Sequence, residues 1–231
     1  MKLGIMQPYF FPYLGYFELI ARTDRWVVFD VVQYNPKSWM NRNRILHPTQ
    51  GWQYITAPVA KAPHGTAIRE IVLSNRDAAL ERLLGQLDHY RKRAPYFGQV
   101  TDLVRAAFSG ASNRLVDLNV AALATVCDYL GIAFHHTMCS QGNFDLRNVA
   151  HAGQWALTIA KQLGADEYIN PPGGREIFIE EEWAAQSIRL TFTQMNNFLY
   201  ECRPYAFVEN LSILDVLMWN DVATVRRALG A

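Results

Sequence analysis

Two short stretches of the chain concentrate the side chains that could do chemistry. The first is Gln7-Pro8-Tyr9-Phe10-Phe11-Pro12-Tyr13-Leu14-Gly15-Tyr16-Phe17. Its prolines stiffen the turn, and Gly15 permits the close approach of a ligand. Tyr9 is expected to line the pocket, and Tyr13 and Tyr16 offer phenols as hydrogen-bond donors. An unperturbed phenol, with a pKa of about 10, brings no positive charge at neutral pH. The second stretch runs from Asp30 to Ile45 and holds Gln33, Lys37, Trp39, Asn41, Arg42, Asn43 and Arg44. Lys37, Arg42 and Arg44 suit a phosphate or carboxylate, with arginine giving planar bidentate contact and lysine a point charge. Trp39 would stack on a ring or wall the pocket. Gln7, Gln33, Asn41 and Asn43 would supply polar contacts, and Asp30 would orient Lys37 or Arg42. Tyr13, Tyr16, Lys37 and Arg42 are the expected catalytic set, acting through positioning and charge stabilisation because no acyl-transfer nucleophile stands in a recognisable setting.

A third stretch, Tyr168 to Glu176, follows an expected strand. There Asn170, Gly173 and Gly174 would bind substrate, the glycine pair forming a nest of N–H groups with Arg175 beside it. Ser212 and Asp215, expected in one late helix with Ser212 or Asn210 as its cap, complete the candidates. His135-His136-x-x-Cys139 contains metal-ligand types, but adjacent strand residues point to opposite faces and no fourth ligand is evident, so no metal is expected. His47, His64, His89 and His151 read as structural or surface residues, and Glu180 to Glu182 as a helix start.

These groups need elements to position them. Residues 3 to 6 read as a buried strand stopped at Gln7-Pro8, Tyr13 to Arg22 as a helix, and Trp26 to Val32 as a strand covered on both faces. Together they form a βαβ unit. Asn35 to Arg44 reads as a polar loop and Trp52 to Val59 as a strand. Helices are expected at Asp77 to Lys92, Leu115 to Leu130 (capped by Gly131), Asn148 to Leu163 and Leu211 to Trp219. Further strands are expected at Ile132 to Met138, Asp166 to Asn170 and Ser187 to Thr193. The alternation indicates an α/β fold with a mainly parallel sheet, built as one domain over residues 1–231, with a helix-rich side lobe at about 76–131.

Composition agrees with this. Of 231 residues, 50% are hydrophobic and 19% charged, enough for a sizeable core. Twenty-two Lys and Arg against 21 Asp and Glu give a net charge of +1, which argues against a protein that coats a polyanion and leaves a local basic patch open. Aromatics make up 13%, fitting buried rings or a ring-lined pocket, and are compatible with a homodimer. Three widely spaced cysteines with no C-x-x-C do not form a disulfide framework. The first residues lack a signal-peptide pattern, and no apolar run would span a bilayer, so a cytoplasmic protein without membrane insertion is expected.

The first βαβ unit resembles that of nucleotidylyltransferase-like folds, in which His-x-Gly-His opens the helix. Tyr13, Leu14, Gly15 and Tyr16 stand at those positions, so the resemblance implies a Rossmann-like core and nucleotide binding, while the phosphate-stabilising histidines are replaced. A closer resemblance is to the WbqC-like family. It rests on Gln7-Pro8-Tyr9-Phe10-Phe11-Pro12 and Gly15-Tyr16-Phe17 within residues 5 to 34, where Phe10 stands in place of the family's Tyr, and on Lys37-Ser38-Trp39-Met40-Asn41-Arg42-Asn43-Arg44-Ile45. It extends through the Trp52 to Val59 segment, Leu163 to Gly174, and Asn210 to Asp215. That resemblance implies transfer of an aminoacyl group, such as glycyl, or another acyl group onto an amine such as an amino sugar, in surface polysaccharide or related biosynthesis. A small-molecule substrate is implied, with ATP and Mg²⁺ or an aminoacyl carrier as cofactor and a carrier or tRNA as partner. Two alternatives are a nucleotidyltransferase-like enzyme and a non-catalytic binder of a nucleotide or an RNA end.

Overall fold

The computed structural model describes residues 1–194 and 198–231. The chain opens with β1 (Lys2–Met6), α1 (Leu14–Ala21) and β2 (Arg25–Val28). β1 and β2 run parallel with Leu3 opposite Arg25 and Met6 opposite Val28, as a crossover helix requires. An antiparallel hairpin follows, β3 (Arg42–Leu46) and β4 (Trp52–Thr56). Then come α2 (Arg76–Leu87), α3 (Phe97–Ser109), α4 (Leu115–Leu130), β5 (His136–Met138), α5 (Gln154–Gln162) and β6 (Glu167–Asn170). α6 (Glu180–Ala185), β7 (Arg189–Phe192), α7 (Ile213–Trp219) and α8 (Val222–Leu229) close the chain.

The main sheet has the order β5-β2-β1-β6-β7, with every neighbouring pair parallel. Helices cover both faces, which gives the α/β fold with a parallel sheet that the alternation predicts and the Rossmann-like core that the resemblance implies. On one face Leu3, Ile5, Val27 and Tyr168 pack with Ile159 and Ala160 of α5 and Trp183 of α6. On the other, Trp26, Val28 and Ile169 join a larger core with α1, α4, α7, α8 and the hairpin's Ile45 and Ile55. α3 touches both α2 and α4, and their apolar faces enter this same larger core. Strand order reverses between β1 and β6, so the carboxyl ends of those strands, at Met6 and Asn170, flank the place where ligands bind in open α/β sheets. No helix among the described residues is long and apolar enough to cross a membrane.

Several boundaries differ from expectation. β2 ends at Val28, because beyond Phe29 the chain pairs with a different partner: the carbonyls of Asp30 and Val32 accept from Arg69 and Ile68. The expected loop 35–44 is loop only as far as Asn41, since Arg42 begins β3. α2 ends at Leu87 in a tighter turn, Asp88–Tyr90. α3 and α8 are elements the sequence reading does not separate. Gly131 ends α4 at φ 64°, as its position predicts.

Candidate functional site

The opening turn, residues 7–13, is held by side chains from three distant parts of the chain. Asn43 lies on the inward face of β3, and its Nδ2 donates to the carbonyls of Phe10 (3.1 Å) and Phe11 (2.9 Å). Its Oδ1 accepts from the Arg44 N–H at 2.8 Å. Asn119 of α4, fully buried, donates to the carbonyls of Pro8 and Met40, both at 2.8 Å. Ser212 Oγ donates to the Phe11 carbonyl at 2.7 Å and accepts from Leu214 N at 3.2 Å, capping α7. Buried backbone carbonyls are costly without donors, so these three side chains fix the turn as well as satisfy it.

The turn and the hairpin enclose a cleft of about 200 Å³ lined by Tyr9, Tyr13, Trp39, Asn43, Arg44 and Asn210. The Arg44 guanidinium sits 5.5 Å from the Trp39 ring centre and 5.1 Å from that of Trp52, and donates to the Asn210 carbonyl at 3.2 Å. Its buried Nε has no hydrogen-bond partner among the described residues, and the same holds for Arg42, whose guanidinium lies 4.2 Å over the Tyr54 ring. A smaller recess of about 50 Å³ shares Tyr13 and Asn210 with the cleft and adds Gly15, Glu18, Tyr200 and Phe207 among its walls. Tyr13 therefore separates the two spaces. Gly15 makes its position possible, because a Cβ there would stand 2.6 Å from Tyr13 Cε2. Burial raises the Tyr13 pKa above its ordinary value, aided by Tyr9 and Glu18, so the phenol stays protonated and able to donate.

Residues 7–227 match the model of the WbqC-like protein family. The chain belongs to this family. A relative in Mycobacterium tuberculosis (strain ATCC 25618 / H37Rv), named "Uncharacterized protein Rv1507c", is 30% identical over 219 residues, which cover 94% of this chain and 92% of the relative. No solved structure matches the chain at a significant level.

In this WbqC-like chain the expected site residues divide by location. Tyr9, Tyr13, Trp39, Asn43 and Arg44 come together at the cleft, and Gly15 lies beside it. Tyr16 does not reach it: the side chain is buried and its hydroxyl donates to the Gln7 carbonyl at 2.8 Å, with burial pushing its pKa well up. Asp30 orients neither Lys37 nor Arg42. It is fully buried, and its carboxylate accepts from Ser140 N (2.9 Å) and Ser140 Oγ (2.6 Å). Gln33 meets His64 at 3.1 Å in an exposed contact. Asn41 is buried, its Nδ2 donating to Ala57 O at 3.4 Å. Lys37 is exposed at φ 59°, and Arg42 points outward from β3.

The Gly173-Gly174 turn lies at the expected sheet edge, but neither glycine lines the cleft. It is no nest either. Neither glycine has a positive φ, and Gly174 N bonds back to Pro171 O within a short 3-10 helix. Gly174 is small because Asn170 Nδ2 would sit 2.6 Å from a Cβ there. Asn170 itself accepts from Tyr168 OH at 2.8 Å and donates to Pro171 O at 2.9 Å. Asp215 does not line the cleft. It is buried and accepts from Tyr90 OH and from Tyr200 OH (2.5 Å), and burial raises its pKa. His136 stacks on Phe134, and no group of three or more His, Cys, Asp or Glu that could hold a metal occurs among the described residues.

Five residues of this region are not among the site residues the sequence proposes. Asn119 sits mid-helix, where an amide looks like a surface residue. Glu18 looks like an ordinary i,i+4 partner of Arg22, which it does pair at 2.5 Å, yet it is buried and faces the recess. Tyr200 and Asn210 come from a segment with little periodicity. Trp52 stands on a strand whose alternation with Gln53 and Tyr54 could have placed it outward.

Proposed function

We propose that this protein is a cytoplasmic transferase of surface-polysaccharide or related biosynthesis, which moves an aminoacyl or other acyl group onto the amine of a small-molecule acceptor. One observation supports it above the others: Arg44 is stacked by Trp39 and Trp52 at the wall of a cleft whose other sides are Tyr9, Tyr13 and Asn210. A guanidinium held between rings beside a protonated phenol suits a ring-bearing substrate with an anionic group, such as a phosphorylated amino sugar. The amine nitrogen attacks the acyl carbonyl carbon. The new C–N bond forms, the bond from that carbon to the carrier oxygen breaks, and the carrier oxygen takes up the proton the amine gives up. Tyr13 donates a hydrogen bond to the oxyanion that develops, and Arg44 holds the anionic group, so the rate comes from positioning and charge stabilisation. Nucleotidyl transfer is less well supported, because Tyr16 spends its hydroxyl on the Gln7 carbonyl.

The test is mass spectrometry of phosphorylated amino sugars incubated with the protein and an activated aminoacyl ester. An adduct of aminoacyl mass is expected, with kcat/KM falling about a hundredfold in Arg44→Ala as a charged contact is lost. No adduct across aminoacyl and simple acyl donors would sink this reading.

A further inference from the structure

Residues 31–69 carry Lys37, Arg42, Arg44, Lys61 and Arg69 and not one Asp or Glu, in a chain whose net charge is only +1. The outward face of the β3–β4 hairpin orders part of this charge. Arg44 lies between Trp39 and Trp52, Trp52 meets Tyr54 edge-on at 4.9 Å, and Arg42 covers Tyr54 at 4.2 Å. Rings and guanidinium planes thus form one strip, in the spatial order Trp39, Arg44, Trp52, Tyr54, Arg42. The three rings are 41%, 40% and 37% exposed. Three large aromatics held this open, two on the hairpin and Trp39 in the turn that leads into it, mark a binding surface rather than a core. The strip is continuous with the cleft, since Trp39 and Arg44 line both.

The chemistry selects among occupants. Unpaired bases stack on exposed rings and guanidinium planes of a sheet surface, while the same cations pair with backbone phosphates. A neutral saccharide would use the rings and leave both guanidinium groups without anions. We propose that the outer face of the β3–β4 hairpin docks the single-stranded end of an RNA and leads its terminal ribose to the Trp39–Arg44 cleft. Docking of an unpaired nucleic acid strand stands on the strip alone, and its being RNA rests, with the role of its end, on the transferase reading. In that reading an acyl ester on that ribose is the donor: the acceptor amine takes the acyl carbon, and the ribose oxygen leaves with the proton.

Binding of a labelled, unstructured single-stranded RNA to the full-length protein tests this by fluorescence anisotropy, with a DNA of the same sequence, inorganic polyphosphate and a neutral oligosaccharide as competitors. RNA is expected to bind best. Trp52→Ala and Tyr54→Ala should each weaken it about tenfold, the scale of one lost base stack. Trp52→Phe should restore binding, which separates stacking from misfolding. Arg42→Ala should reduce the salt slope by about 0.7, one single-strand phosphate contact. Arg203→Ala, on a surface cation paired with Glu201, should change nothing.

No binding of RNA at low salt overturns the proposal, as does equal affinity for polyphosphate with a neutral Trp52→Ala. Equal affinity for DNA overturns the assignment to RNA, and binding of the oligosaccharide in place of RNA overturns it outright. Acyl transfer from a small ester without RNA binding would remove the docking surface and leave the transferase. RNA binding without transfer from any donor would do the reverse.

Discussion

Asn43 donates to the carbonyl of Phe11 at 2.9 Å, and Phe11 sits at φ 40°. That backbone region is unfavourable for a residue with a bulky side chain. The turn persists because Asn43 and Ser212 both clamp this carbonyl while Asn43 also holds that of Phe10. Asn43→Ala should therefore cost about 1–3 kcal/mol, the range for orphaning a buried polar partner. Urea denaturation checks this; a midpoint equal to wild type would show that the clamp carries no weight.

Gly15→Ala separates stability from binding. Alanine favours a helix over glycine by up to about 1 kcal/mol, so the fold should keep or slightly gain stability. The new methyl would stand 2.6 Å from the Tyr13 ring, which must swing away from the wall between cleft and recess. Thermal melting should be unchanged while substrate affinity falls about tenfold, the scale of one lost hydrogen bond. A variant that binds as wild type does would remove Tyr13 from the site.

Much of the core was legible in the sequence, and the reasons are local. The β1-α1-β2 unit announces itself through an apolar run, a proline stop and a helical period. The site was legible in composition and partly misread in geometry. Arg42-Asn43-Arg44-Ile45 alternates like a strand, but its inward side includes Asn43, and a polar residue on the buried face disguises the pattern. Asn43 faces inward only because carbonyls over 30 residues earlier need its amide. Asp30 likewise looked free to serve Lys37, since its actual partner, Ser140, lies 110 residues away. Pairings of that range leave no periodic trace in a single sequence.

The pH dependence of stability should carry a signature of His89. Its Nδ1 faces the Gln86 carbonyl at 2.8 Å, its buried Nε2 has no hydrogen-bond partner among the described residues, and burial lowers its pKa below the usual 6.5. The unfolded chain therefore binds this proton first as pH falls. The stabilisation is present above pH 6.5 and is lost as pH falls through the depressed folded value. Asp215, raised by burial, acts in the opposite sense: its contribution is present below 3.8 and is lost as pH rises through its folded value. The difference between wild type and His89→Gln isolates the histidine, and its melting-temperature gap should narrow from pH 7.5 to pH 5. A gap independent of pH would refute it.

The three thiols should be inert in the native protein. Cys127 and Cys139 are pushed up to about 12 and Cys202 to about 11, each chiefly by burial. Thiolate, the reactive form, is then scarce at neutral pH. A disulfide dye at pH 7.5 should release no colour until denaturant is added, and then three equivalents. Rapid labelling of the folded protein would contradict the buried placement.

The Phe11 carbonyl waits for Ser212, which is 201 residues away along the chain. During synthesis on the ribosome, the turn at residues 7–13 that walls the cleft is made long before Ser212, which supplies one of its clamps. A chain made only as far as the hairpin thus carries every ring of the binding strip and still lacks a finished pocket, because the clamp on its first wall comes from the far side of the fold.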